Sequence, residues 1–151
     1  MSYTNVAGGI LTQLRDLLVG EFAGKVPVLW AQAEDVSRAP EWIEVRLVSS
    51  ESAEPVHAFA EVRRYAIELL YLRKRNKGED DLRSQVQRLE IAQRLQRVLV
   101  DNSHLKDGAT YVWHDGQVGN IEYAVPMTER ADDGLLAVRL QWACTVTEAI
   151  G

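Results

Sequence analysis

Residues 78–102 place the strongest constraint on what this chain can fold into. Leu82, Val86, Leu89, Ala92, Leu95 and Leu99 recur at spacings of three and four, an apolar stripe along an α-helix widened by Ile91 and Val98. Glu79, Asp80 and Asp81 stand where a helix start offers unpaired N–H groups and partial positive charge, and Asp101-Asn102-Ser103 ends the pattern. The opposite side carries Arg83, Gln87, Arg88, Glu90, Arg94 and Arg97, suited to water or to a partner. A helix of about six turns with one apolar side is stabilised mainly by packing, so the stripe predicts a surface to lie on. The strand-like stretches 60–73 and 135–147 on either side of it are the two candidates.

Ahead of this helix, Ile10, Leu14, Leu17, Leu18 and Phe22 outline a first amphipathic helix. Val26-Pro27-Val28-Leu29-Trp30 is a short extended piece with Pro27 at a sheet edge, because proline cannot donate to a ladder. Residues 42–48 alternate, with Ile43, Val45 and Leu47 on one side, as in a half-buried strand. Residues 49–57, polar and acidic with Glu51, Glu54 and Pro55, read as a connecting loop. In the stretch 60–73, Tyr65, Ile67, Leu69 and Tyr71 suit a core, while Arg64, Ala66, Glu68, Leu70 and Leu72 make a mixed second face. A strand this long can project as an arm beyond its neighbours. After the central helix, residues 111–113 and 121–125 flank His114-Asp115-Gly116-Gln117, and Asp-Gly between alternating segments predicts a hairpin. Leu136, Val138, Leu140, Trp142, Cys144 and Val146 share one face of a last long strand. The order α-β-β-β-α-β-β-β predicts one α+β domain over residues 1–151, a mostly antiparallel sheet with both helices on one face.

A chain of 151 residues, 46% apolar and 26% charged, is large enough to bury one core and has the composition of a soluble globular protein. No run of about 18 apolar residues predicts a membrane span, and no charged segment followed by a long apolar run predicts a secretory signal. A net charge of −5 argues against general nucleic-acid binding, which needs a basic footprint. No catalytic group, metal or cofactor is expected. Gly20-Glu21-Phe22-Ala23-Gly24-Lys25 is one residue short of a phosphate loop, and Val26 stands where Ser or Thr would bind magnesium. A helix end followed by a turn accounts for it. His57, His104 and His114 share no metal-ligand spacing, and His114 beside Asp115 fits a polar hairpin tip. Cys144 reads as a small buried hydrophobe in a strand.

Candidate contact residues come from charge and from aromatic placement. Arg73, Lys74, Arg75 and Lys77 make a basic loop, either a solvated connection or a contact with an acidic patch on a neighbouring subunit, such as Glu51 and Glu54. Trp30, Trp42, Trp113 and Trp142 read as core or sheet-edge residues. Trp42 and Trp113, near strand ends, are also candidate interface anchors.

The succession of the N-terminal helix, the Pro27-Val28-Leu29-Trp30 edge piece, the strand 42–48, the acidic loop, the strand with Tyr65-Ala66-Ile67-Glu68-Leu69, the central helix and a closing antiparallel set resembles the tail terminator, or tail completion, proteins of long-tailed bacteriophages and gene transfer particles. The resemblance spans nearly the whole chain and rests on element order, length and strand patterns rather than on a diagnostic motif. It implies a structural virion protein and not an enzyme: a homo-oligomeric, six-fold ring, assembled in the host cytoplasm, that caps the tail tube at the tail–neck junction. The implied partners are further copies of the chain, the tail tube protein and a neck, stopper or connector protein. DNA would pass an acidic lumen without specific binding. Another neck or connector component, or an unrelated small α+β oligomer acting as an enzyme or ligand-binding module, remains the alternative.

Overall fold

A computed structural model of the chain describes residues 5–22, 25–30, 40–57, 60–73, 81–108, 110–126 and 136–149. Helix α1 (Val6–Phe22) is followed by strands β1 (Val28–Trp30), β2 (Glu41–His57) and β3 (Ala60–Arg73). Helix α2 (Asp81–Asp101) comes next, then β4 (Leu105–Asp107), β5 (Thr110–Pro126) and β6 (Leu136–Ala149). The sheet runs β1-β2-β3-β6-β5-β4, antiparallel throughout except where β1 lies parallel to β2. This is the expected α+β architecture, with both helices on one face.

Alternation fixes which face that is. Cross-strand register aligns Val45, Leu69 and Leu140 in one row, Ile43, Tyr71 and Val138 in the next. Ile67 pairs with Trp142 and Tyr65 with Cys144, so β2, β3 and β6 present a continuous apolar surface. Ile10, Leu14, Leu18 and Phe22 of α1 and Ile91, Ala92, Leu95 and Leu99 of α2 complete the same core. Asn5 caps α1, its Oδ1 accepting from Gly8 N at 2.8 Å, which satisfies one of the free N–H groups of the first turn. The helices are tied at their crossing by Glu21. Its carboxylate accepts from Arg94 Nε at 3.3 Å and from Arg97 at 2.8 Å, and Arg94 also reaches the Glu21 carbonyl and lies over the Phe22 ring.

Three expectations are corrected. The Asp115-Gly116 pair makes no hairpin, because β5 runs straight through it. His114 pairs with Thr145 and Gln117 with Ala143, so three steps on β5 match two on β6, a β-bulge. Asp115 takes a φ of 52°, and Gly116 donates to the Ser103 carbonyl at 2.8 Å. A Cβ at Gly116 would come within 3.1 Å of that oxygen and of Trp142 Cζ2, closer than most Cβ contacts, so the close approach favours glycine. Residues 49–57 are likewise no loop. They continue β2 against β3, with Glu51 opposite Arg64 and Glu54 opposite Val62, through three irregularities of register. A polar edge strand with little to bury carries no apolar alternation to reveal it.

The third correction concerns α2. Its C-terminal half packs as expected through Ile91, Leu95, Val98 and Leu99, but Leu82, Val86 and Leu89 are 70%, 53% and 43% exposed. In their place the first half turns Ser84 and Arg88 inward. Arg88 donates to Ser84 Oγ at 2.8 Å and to the Tyr123 carbonyl of β5 at 3.1 Å. A satisfied arginine thus seats the half of the helix that periodicity assigned to the core.

This rotation has a measurable consequence. Leu95→Ala, at a fully buried site, is expected to cost about 2–5 kcal/mol in chemical denaturation. Leu89→Ala is expected to cost less than about 1 kcal/mol. Equal losses at the two sites would contradict the rotated seating.

Candidate functional site

The sheet has two unlike ends. At the β1 end, Trp42, Leu70, Leu72 and Ala137 are buried on the face away from the helices, as is the carboxylate of Glu44. That carboxylate accepts from Trp42 Nε1 at 3.1 Å and from Arg46 Nη2 at 3.0 Å, the pairing a buried charge requires. At the far end, β1 pairs only with residues 43–45 and β5 ends its pairing with β6 at Thr145. There β2, β3 and β6 continue as a three-stranded arm. Arg63 Nε donates to Ser50 Oγ at 3.1 Å within it, and the Tyr65 hydroxyl donates to Glu148.

The candidate contact residues fall in three groups. Trp42 and Trp113 are 1% and 0% exposed, so their indoles serve this subunit's own interior. Trp113 Nε1 donates to the Asn102 carbonyl at 2.8 Å, and its ring meets Trp142 edge-to-face at 5.1 Å. Glu51 is exposed on the arm, Glu54 lies two pairs further along β2, and Arg73 closes β3 opposite Glu41. Nine residue steps along β3 lead from Arg64, the partner of Glu51, to Arg73, roughly 30 Å of strand. Glu51 and Arg73 therefore lie toward opposite ends of the paired length of β2 and β3. Lys74, Arg75 and Lys77 lie outside the described residues.

Nothing among the described residues converges as a catalytic set. His104 and His114 each meet the Tyr111 ring edge-on, at 6.3 Å and 6.1 Å, and His104 Nδ1 accepts weakly from Asp115 N at 3.4 Å. No three His, Cys, Asp or Glu among the described residues gather to hold a metal. The helix-free face carries a shallow trough of about 350 Å³ floored by Ala66, Ala143 and Gly119 and walled by Arg64, Glu68 and Gln141. Arg64 is spent on Thr145 and Gln117, each at 3.4 Å. Burial raises the Tyr65 and Tyr71 hydroxyls well above the ordinary phenol range, helped by their hydrogen bonds to Glu148 and Glu41. Among the described residues no helix is long and apolar enough to cross a membrane.

The surface that sequence reasoning missed is the outer side of α2. Its signal was present but misassigned, since Leu82, Val86 and Leu89 belonged to the same stripe as the buried residues.

No protein-family model matches the chain, and no curated protein matches it. Among solved structures it is similar to the PVC sheath/tube terminator of an extracellular contractile injection system, in the extended state, with a TM-score of 0.54 and 10% identity. The match covers 100% of this chain and 58% of that one, so the chain spans a little over half the length of its structural neighbour. At this identity the likeness is one of fold.

Burial pushes the Cys144 thiol up to about 12, against a smaller lowering by Arg64. Relative to a free thiol near 8.5, the thiolate fraction at neutral pH falls by about three orders of magnitude. Cys144 is therefore expected to resist a thiol reagent in native buffer and to react fully in denaturant. Rapid native labelling would show that the thiol is accessible.

Proposed function

We propose that the chain is a terminator subunit, which closes with further copies into a ring, seats on the end of a tail tube, ends its growth and presents the surface to which a neck component joins. The observation carrying this reading is the fold shared along its entire length with a sheath/tube terminator. Three features support it. The described residues assemble no catalytic set. Glu51 on the arm and Arg73 at the close of β3 stand about 30 Å apart along the strand, so one subunit offers unlike charges at two separate places, as a head-to-tail contact requires. The net charge of −5 lets a polyanion pass without adhering. A tube end has unpaired contact surfaces, and a ring that matches them below while offering different chemistry above stops the stack.

The ring is six-fold by the resemblance to tail terminators, with the tail tube protein below it and a neck, stopper or connector protein above, at the tail–neck junction of the particle. Glu51 and Glu54 on the arm, and Arg73 with Lys74, Arg75 and Lys77 that follow it in sequence, are the proposed subunit or tube contacts. Exposed charge pairs add little affinity, but they steer association. Reversing Lys74, Arg75 and Lys77 to Glu is expected to leave the subunit folded, slow its association about tenfold or more at low salt, and leave tails of uncontrolled length. Electron microscopy of particles made with this variant measures both tail length and head joining. Normal values for both would remove the charged segment from the contact. A chain present as isolated single subunits in finished particles would contradict the ring itself.

A further inference from the structure

The central pair of the sheet and the strands that flank it are built differently. β3 and β6 are 14 residues each and pair from Ala60 opposite Ala149 to Arg73 opposite Leu136 without a break. β2 and β5, on either side of them, are 17 residues each. Each of these outer strands carries three shifts of register against its central neighbour. On β2 the extra residues are Val48, Ala53 and Val56, none of which is matched on β3. On β5 three steps match two on β6 at 114–117, 118–121 and 122–125. All six insertions thus fall on the outer strands. A bulge bends its strand and interrupts the regular succession of outward N–H and C=O groups.

Adding a strand to a sheet needs those groups at every second residue of a regular edge, since main-chain hydrogen bonds supply the affinity. Among the described residues no edge provides a long one. β1 and β4, at the two sides of the sheet, are three residues each. β1 pairs with β2 only over residues 43–45, so no described strand covers the outer edge of β2 from Arg46 to His57. There the bulges leave no regular run longer than Ser49 to Ser52, four residues against about five or six in an ordinary strand. Glu51 stands exposed within that run, and a charge on an edge strand discourages a neighbour. β5 is interrupted as often, and its own chain takes two of its backbone groups: Gly116 N donates to the Ser103 carbonyl, and the Tyr123 carbonyl accepts from Arg88. Beyond Thr145, β6 keeps a regular edge of only four residues, Val146 to Ala149.

We propose that this sheet is finished against strand addition on every described edge, so that the subunit meets its own copies and its partners through side chains and not by extending a β-ladder across the contact. The bulges are the device, because they deny an incoming strand a register. A subunit finished in this way does not template its own stacking through its backbone. The inference concerns the mode of contact and stands independently of the ring reading.

Making the β2 edge regular tests it. Deleting Val48 and Ala53, together with Glu51→Thr, joins positions 46, 47, 49–52 and 54 in one register. All three altered sites are exposed, so no core space is opened. The variant is expected to keep the far-ultraviolet circular dichroism of the natural chain. At tens of micromolar it is expected to form sheet-rich assemblies about tenfold faster or more, read by thioflavin T and by a diffraction spacing of about 4.7 Å. Leu95→Ala is the control, since it weakens the core without touching the edge. Assembly of Leu95→Ala at the rate of the edge variant would assign the effect to instability and overturn the proposal. So would an edge variant that assembles no faster than the natural chain. Hydrogen exchange on the natural chain needs no variant and decides the matter if the edge variant fails to fold. Exchange of the amides of residues 46–57 is expected to agree within about twofold between dilute and concentrated protein. Protection gained along that segment on concentration would show a strand added there and overturn the proposal.

Discussion

The contact on which most of the architecture depends is the one between Trp113 and Trp142. Each ring is buried, and they meet edge-to-face at 5.1 Å with their planes 79° apart, an arrangement favoured by the opposite charge of ring edge and ring face. Trp113 also donates to the Asn102 carbonyl, just past the end of α2, and Gly116 donates to the next carbonyl, that of Ser103. One aromatic pair thereby fixes where α2 stops, where β5 bulges and how closely the helix end approaches the sheet. Trp142 Nε1 has no acceptor among the described residues, a cost of about 1–3 kcal/mol for a buried donor that packing must offset. With the C-terminal half of α2 held this firmly, its N-terminal half needs only the polar clasp of Arg88, and its apolar side is left outward.

The helix-free face follows a different logic. Across its central rows charges answer one another: Arg46 meets Glu44, and Arg139 lies 3.5 Å from Glu68 and 3.6 Å from Glu122 on the two neighbouring strands. Such seams bind strands in register without building a hydrophobic pocket, and they contribute more to specificity than to net stability. The protein thus has a helix-covered core, a polar ribbed face and an arm with open edges.

Strand alternation made much of this legible. Tyr65, Ile67, Leu69 and Tyr71 against Leu136, Val138, Leu140, Trp142 and Cys144 pointed to one buried face, and the structure pairs those strands in that register. Three features escaped for identifiable reasons. Asp115-Gly116 has the local chemistry of a reversal, but left-handed backbone followed by glycine also makes a bulge, and only the contact with Ser103 and Trp142 decides between them. Residues 49–57 pair as a polar edge strand, whose sequence carries no apolar alternation to reveal it. Along α2, periodicity found every apolar position but could not divide them between core and surface. That division rests on Arg88 finding a carbonyl in β5, a long-range partner that no local pattern encodes. The burial of Trp42 and Trp113 agreed with the core alternative, leaving exposed aliphatic side chains as the stronger contact candidates.

The central claim is that the chain ends a polymer. Tube subunits from the particle that carries it, polymerising in solution, provide the direct measurement when the purified chain is added at about one ring per growing end. Elongation should stop at that ratio, with the chain located at tube tips by electron microscopy. Tubes that lengthen at an undiminished rate, with the chain absent from their ends or scattered along their walls, would contradict the account.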